Sequence, residues 1–414
     1  MSTSSMRSPL PERVSALRNA TLADGRIVDV VIEEDRIASV HPAGSIPTGI
    51  DLAGFVLLPA PAEPHAHLDK AYSWDVIAPP MGNLNLAIAS WREYAAVMSV
   101  DSIADRARQA ALELLRNGTT AVRSHVDILL GPAPLRGVEA LVRVRDELRD
   151  LMDIELVALA NSDIDDATIE AALDLGVDLV GGAPHLAPQP LAEVRRLLAI
   201  AERRGVGVDL HTDEALGGDP TIVEFARIVR DWTTNVSAGH CVRLGTLPPA
   251  ELADVLDEVQ ESDIGIISLP ITNLYLQGWE HPSATPRGLA PARAILDRGI
   301  RFGAGADNVR DPFNPVGRSD ALETASLLVT AGHLTLDESY AAVSVGARAV
   351  MGLPDARIAP GGAAELLAIR ATGLADAIAT ARADRLVIHR GVLVARTRTE
   401  TDMAAIAIPE GAHS

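Results

Sequence analysis

Two histidines one residue apart, His65 and His67, lie in the run Glu63-Pro64-His65-Ala66-His67-Leu68-Asp69-Lys70, at the end of an apolar stretch. Alternate residues of an extended strand share a face, so a strand ending here aims both imidazoles the same way. Neutral imidazole nitrogens suit Zn²⁺ or Fe²⁺, and the pair amounts to half of a divalent metal site. On its own such a pair is commonly just two polar residues, so its partners must come from elsewhere in the chain. Asn161, His211, His240 and the pair Asp307-Asn308 each close a short apolar run, and Glu214 lies just beyond His211. Each has a plain structural explanation alone: His211 as a hydrogen-bonded core residue, Asp307 as the cap of a turn. Converging on one place, they would be costly to bury without a shared partner, and a cation supplies it.

The elements that must position these residues follow a repeating unit, in which an amphipathic helix is stopped by glycine and followed by a short apolar strand with a polar end. Gly118, Gly176, Gly205 and Gly299 are the stops, leading into runs 121–127, 177–185, 206–211 and 300–307. Glycine at the position after a helix supplies the left-handed backbone that ends it, and helix-then-buried-strand repetition makes a parallel sheet. With runs 155–161, 236–240 and 264–270 and the strand before His65, eight strands are expected, hence an α/β fold of the (β/α)₈ TIM-barrel type. A doubly wound open sheet would carry a glycine-rich phosphate turn after its first strand, and none is present. Short β runs at 20–22, 25–32 and 36–40 are answered by others at 364–369 and 385–394. The expectation is a small β-sandwich-like domain from residues 1–58 and 355–414 around a barrel at 59–354. Barrel enzymes build their sites at the C-terminal ends of the strands, where the candidates above fall.

Composition narrows the partners. A net charge of −20 disfavours capture of nucleic acid or of an anionic membrane surface. No apolar run approaches the roughly 18 residues that span a bilayer, and residues 1–19 lack the apolar centre of a secretion signal, so a cytoplasmic location is expected. The single cysteine, Cys241, rules out an intrachain disulfide and a cysteine-rich zinc site, and is expected to be a small buried hydrophobe. Any metal must therefore use histidine and carboxylate. Lys70 is the one lysine of the chain, and it adjoins the histidine pair.

At this level of detail the chain resembles the amidohydrolase superfamily and, within it, the bacterial cytosine deaminase group. The resemblance is carried by Glu63-Pro64-His65-Ala66-His67-Leu68-Asp69, Val122-Arg123-Ser124-His125-Val126-Asp127, Asp209-Leu210-His211-Thr212-Asp213-Glu214, Leu269-Pro270-Ile271-Thr272-Asn273 and Asp307-Asn308-Val309-Arg310-Asp311-Pro312-Phe313. It implies that His65, His67, His211 and Asp307 bind one metal, that Glu214 shuttles protons, that His240 polarises the bond under attack, and that Asp307 also serves as a base. Many relatives use two metals bridged by a carboxylated lysine on strand four. Lys70 lies after strand one instead, so one Zn²⁺ or Fe²⁺ is expected. The other zinc deaminase fold needs more cysteine than this chain has.

The departures from that group concern substrate. Asn161 stands where glutamine usually holds the pyrimidine edge, Asn308 where an aspartate follows the last ligand, and Phe313 where a tryptophan is usual. With Lys70 at the rim, these four are the expected substrate contacts; Lys70 either holds a carbonyl or carboxylate of the substrate, or orders the loop that closes over it, or is a surface charge paired with Asp69 or Asp75. The expected activity is deamination of a small nitrogen heterocycle other than cytosine. Ring-opening cyclic amidase and N-substituted aminotriazine-type hydrolase are the alternatives within enzymes. A ligand-binding barrel without turnover is the alternative outside them, marked by loss of Glu214 or Asp307, and both are present. A homo-oligomer is compatible with the sequence. His125 and His185 are expected to support or pack, and no role is assigned to His281, His333, His389 or His413.

Overall fold

The eight apolar runs pair in chain order as parallel strands: Ala62–Ala66, Ala121–Asp127, Asp153–Ala160, Leu179–Gly182, Gly207–Thr212, Val236–His240, Gly265–Ser268 and Phe302–Ala304. They belong to a computed structural model that describes residues 10–403, so His413 lies outside the described residues. The ring closes through a parallel bridge between Ala66 and Asp307. There the His67 N–H donates to the Asp307 carbonyl at 3.2 Å and the Asp307 N–H to the His65 carbonyl at 3.1 Å. Closing the barrel therefore brings the first and last chemical candidates together, although they are far apart in sequence.

The helices form for local reasons. In Val100–Arg116 the apolar positions Ile103, Ala104, Ala107, Ala110, Ala111, Leu114 and Leu115 recur at helical spacing and are all buried, while the Ser99 hydroxyl caps the start by accepting from the Ser102 N–H. Pro190–Arg204 begins with proline, carries Arg203 and Arg204 in its last turn, and ends on left-handed Gly205. The four expected stop glycines all have positive φ, from +65° to +111°.

The remaining strands form one nine-stranded, mostly antiparallel sheet built from both termini. The segments Ala16–Thr21, Ile27–Glu33 and Arg36–Pro42 come from the N-terminal side, and Leu366–Arg370, Arg385–His389 and Val392–Arg396 from the C-terminal side; Phe55–Pro59 joins them by pairing with Leu366–Arg370. Leu17, Val30, Ile37, Leu57, Leu366 and Ile388 lie in its own buried core. Run 385–394 is two strands rather than one, because Arg390 and Gly391, both at positive φ, turn the chain into a hairpin. Strands four, seven and eight stop short of the expected ends. His185 falls in a 3₁₀ turn, Pro184–Leu186, and Pro270 opens the helix Pro270–Leu276, since proline lacks the N–H a central strand requires. No helix among the described residues is long and apolar enough to cross a membrane.

Candidate functional site

At the C-terminal mouth of the barrel three imidazoles meet nitrogen to nitrogen. The His211 Nε2 is 3.2 Å from the His65 Nε2 and 3.1 Å from the His67 Nε2. Asp307 Oδ1 lies 3.2 Å from the His67 Nε2 and 3.9 Å from the His65 Nε2, and Asp307 Oδ2 is 3.8 Å from the His240 Nε2. All five side chains are buried. Burial, and then the neighbouring positive groups, push the His67 and His211 pKa values well below the ordinary range, so their rings are neutral with lone pairs to offer. Burial, followed by the Glu214 charge, pushes Asp307 well up. Both Asp307 oxygens and the His240 Nε2 have no hydrogen-bond partner. Three facing ring nitrogens cannot satisfy one another, and the orphaned carboxylate beside them completes an N₃O donor set. These residues fit a divalent cation.

What surrounds this cluster fixes its orientation. The His65 Nδ1 faces Asp209 Oδ1 at 3.6 Å, and Asp209 is in turn held by Arg123 Nη1 at 2.7 Å and by the Ser237 hydroxyl at 2.9 Å. Burial alone would raise the Asp209 pKa, but His125, His65 and Arg123 outweigh it and hold the carboxyl well below its usual range. The His125 ring packs 4.0 Å from that of His65, centroid to centroid, and its Nε2 is 3.4 Å from Asp209 Oδ1. Gly239 is required here, because a Cβ would lie 2.8 Å from the His65 ring. His240 and Asp307 adopt left-handed backbone, φ +69° and +65°, which non-glycine residues rarely take except at sites that constrain them.

Glu214 is placed by the loop after strand five. Asp213 accepts from the N–H groups of Thr221 and Ile222, and Gln277 Nε2 donates to the Glu214 carbonyl at 2.8 Å. The Glu214 carboxyl sits 3.5 Å from the His240 Nδ1 and 3.8 Å from the His185 Nε2, and burial raises its pKa to about 7. Asn273 Nδ2 lies 3.0 Å from the same His240 Nδ1. With the Asn273 amide nitrogen donating, Nδ1 is the accepting nitrogen and the ring proton sits on Nε2, facing Asp307; with the amide oxygen in its place the roles reverse.

A cavity of about 150 Å³ opens onto this cluster. His67, His211, Glu214, His240 and Asp307 form its floor, while Leu84, Ile88, Leu130, Leu186 and Leu276 give it an apolar wall. Asn161, just past strand three, lines it, as do Asn308 and Phe313. Asn308 is already engaged, donating to Asp311 Oδ2 at 2.8 Å and facing the Thr272 hydroxyl at 3.4 Å. Lys70 requires a correction: it is 3% exposed rather than a surface charge, and it pairs with neither Asp69 nor Asp75. Its Nζ lies 2.7 Å from Asp127 Oδ1 and 3.0 Å from the His67 Nδ1, and it is boxed by the rings of Trp91 and Phe313, 5.5 and 5.8 Å away. The loop leaving strand one folds inward because a buried carboxylate and two aromatic faces receive the ammonium.

Sequence reasoning missed Trp91, whose Nε1 donates to Asp127 Oδ2 at 2.5 Å, and left Asp127, Asp209 and Asn273 inside motifs without roles. For Asp127 and Asp209 a signal existed, since an acidic residue within a buried strand needs a counterion. Trp91 carried none, being one apolar position of the helix Leu84–Ala95.

Comparison with known proteins identifies the family. The chain is 29% identical over 386 residues to the pterin deaminase of Rhizobium rhizogenes, covering 89% of this chain and 88% of that protein. The crystal structure of N-isopropylammelide isopropylaminohydrolase from Burkholderia multivorans is 30% identical, with a TM-score of 0.79 over 93% of this chain and 99% of that one. The 5-methylcytosine deaminase of Klebsiella pneumoniae, at 24% identity, shares the fold with a TM-score of 0.84 over 94% of this chain and all of its own. Residues 81–395 match the amidohydrolase family, a span that starts beyond His65 and His67 but takes in well over half of the chain. This chain belongs to the amidohydrolase family and is a hydrolase of carbon–nitrogen bonds.

Proposed function

We propose that the protein is a mononuclear metal-dependent deaminase that replaces the exocyclic amine of a small nitrogen heterocycle by oxygen, with water as co-substrate and ammonia as product. The observation that carries this is the meeting of the His65, His67 and His211 Nε2 atoms beside Asp307, with the carboxyl of Glu214 on the same cavity floor. In this reading residues 59–354 form the catalytic barrel, and His65, His67, His211 and Asp307 hold one Zn²⁺ or Fe²⁺. Such an ion supplies Lewis acidity and draws the pKa of water toward about 7. Asp307 accepts the proton of the attacking water. Glu214, whose carboxyl burial keeps protonated up to about pH 7, delivers a proton to the ring nitrogen. His240, carrying its proton on Nε2 when the Asn273 amide nitrogen donates to Nδ1, donates to the oxygen of the forming tetrahedral centre. Asn161, Asn308, Phe313 and Lys70 orient the ring.

The apolar wall of Leu84, Ile88, Leu130, Leu186 and Leu276 favours a ring larger than cytosine, or one bearing an apolar group. That agrees with relatives named for pterin and for N-isopropylammelide. The same wall supports a second reading, hydrolysis of an N-alkylamino substituent. Product analysis over pterin, N-isopropylammelide, 5-methylcytosine and cytosine separates them, since ammonia marks deamination and an alkylamine marks the second reading. A product that keeps all its nitrogen with its ring opened would identify a cyclic amidase. No turnover of any of these rings by metal-loaded protein would overturn the reading.

A further inference from the structure

Burying a guanidinium costs several kcal/mol unless an anion meets it. Among the described residues five lysine or arginine side chains are buried: Lys70, Arg123, Arg136, Arg348 and Arg385. Four face carboxylates, at 2.7 Å for Lys70, Arg123 and Arg385 and at 4.0 Å for Arg348. Arg136, 9% exposed, has no carboxylate within 4.0 Å among the described residues, and it is one of the residues lining the active-site cavity. Its Nη1 donates to the Ala133 carbonyl at 2.7 Å, its Nη2 donates to the Ala95 carbonyl, and its Nε has no partner. Ala95 is the last residue of the helix Leu84–Ala95, so the guanidinium is held at the negative end of a helix by neutral oxygens. Those contacts fix its position and the helix end offsets part of its charge, but among the described residues no carboxylate meets it. The chain as a whole carries −20, which makes an unpaired cation inside the cavity harder to explain as surface solubility.

We propose that Arg136 is the anchor for an anionic group on the substrate, of the carboxylate class, so that the natural ring carries a negatively charged substituent. This rests on the reading of the cavity as the substrate site, and it adds a requirement that neither the metal cluster nor the polar ring contacts impose. A carboxylate meeting a fixed guanidinium in a water-poor cavity forms a charge-assisted pair, stronger than contacts between neutral groups.

Calorimetric titration of the metal-loaded enzyme with pyrimidine-5-carboxylate and with its neutral match, pyrimidine-5-carboxamide, tests this without requiring turnover. The carboxylate is expected to bind at least tenfold more tightly. Arg136→Gln retains N–H donors for the two carbonyls while removing the charge, and is expected to abolish the preference; Arg136→Lys is expected to keep part of it. Equal binding of the two probes by the parent protein overturns the proposal. So does a preference that survives in Arg136→Gln, which would assign the anion to the metal instead. Should Arg136→Gln fail to fold, Arg136→Lys decides, since an unchanged preference there combined with no salt dependence in the parent removes the arginine from recognition. Ammonia release without any carboxylate preference would sink this inference alone, whereas an Arg136-dependent preference with no turnover of any ring would sink only the deaminase reading.

Discussion

At the scale of single residues, the proposed mechanism gives three side chains distinct and separable tasks. Removing one imidazole from an N₃O set leaves too few donors, so His211→Ala is expected to lose its metal while the parent binds about one ion per chain. Elemental analysis of freshly purified protein reads both, and two equivalents in active parent enzyme would exclude a mononuclear centre. Glu214→Gln keeps every donor and removes only a transferable proton, so metal content is expected to hold while kcat falls by about a hundredfold or more. Burial raises the Glu214 pKa to about 7, so the acid form is present below that value and is lost as pH rises through it. A bound cation pulls the value further down. The kcat of the parent is therefore expected to fall on a limb at or below about pH 7, and a descending limb only above pH 9 would assign the acid to another group. Lys70 is buried against Asp127, so Lys70→Met strands a carboxylate in the core and is expected to cost about 3–5 kcal/mol in unfolding free energy. Lys70→Arg keeps the charge but sets a planar fork between Trp91 and Phe313. It is expected to raise KM about tenfold with metal content unchanged, and parent-like kinetics in that variant would remove Lys70 from substrate binding.

Among elements, the segment after strand one does the most to enclose the site. Its helix Leu84–Ala95 supplies Trp91 to Asp127, Leu84 and Ile88 to the cavity wall, and Ala95 to Arg136. The approach to that helix is pinned across the mouth: the Gly82 N–H donates to the Tyr275 hydroxyl at 3.2 Å, and a Cβ on Gly82 would stand 2.3 Å from the Trp279 ring. Gly82 also has φ +69°, a conformation that costs a residue with a side chain about 1–2 kcal/mol. Gly82→Ala is therefore expected to raise KM several-fold by displacing the stretch from Gly82 to Ala95, while the ion count stays at the parent value because no donor to the cluster lies between those two residues. Steady-state kinetics beside elemental analysis checks this, and an unchanged KM would show that the segment does not shape the cavity.

For the whole molecule, the sheet formed from both termini is tied to the barrel by a buried pair. Both Arg385 guanidinium arms donate to the carboxylate of Asp320, at 3.0 and 2.7 Å, and Arg385 also donates to the Asn117 carbonyl at 2.5 Å. Asp320 at the same time caps the helix Ala321–Thr330, accepting from the Leu322 N–H. Arg385→Ala leaves that carboxylate buried without its partner and is expected to lower stability by about 3–5 kcal/mol. Since the pair lies away from the mouth, metal stoichiometry and KM at permissive temperature are expected to match the parent. Chemical denaturation read against metal content tests this, and loss of the metal at full folding would mean that the sheet supports the site directly.

The count of barrel strands and the order of the chemical residues were legible in the sequence alone, because both rest on local patterns. Helix periodicity, the four stop glycines and the apolar runs ending in polar residues are properties of neighbouring positions, as is the spacing of His65 and His67. Strand ends were less legible, since Pro184 and Pro270 turn the chain earlier than hydrophobicity alone suggests. What each side chain faces was decided only in three dimensions. Ring closure through Ala66 and Asp307 sets the distances among His65, His67, His211 and Asp307. Asn273, on a helix after strand seven, meets the His240 Nδ1, and Asp209 on strand five faces a histidine on strand one. Lys70 shows the limit most clearly. Spacing placed it on a loop at the mouth, but a loop residue turns to solvent or inward according to what stands opposite, and here Asp127, Trp91 and Phe313 come from three separate parts of the chain.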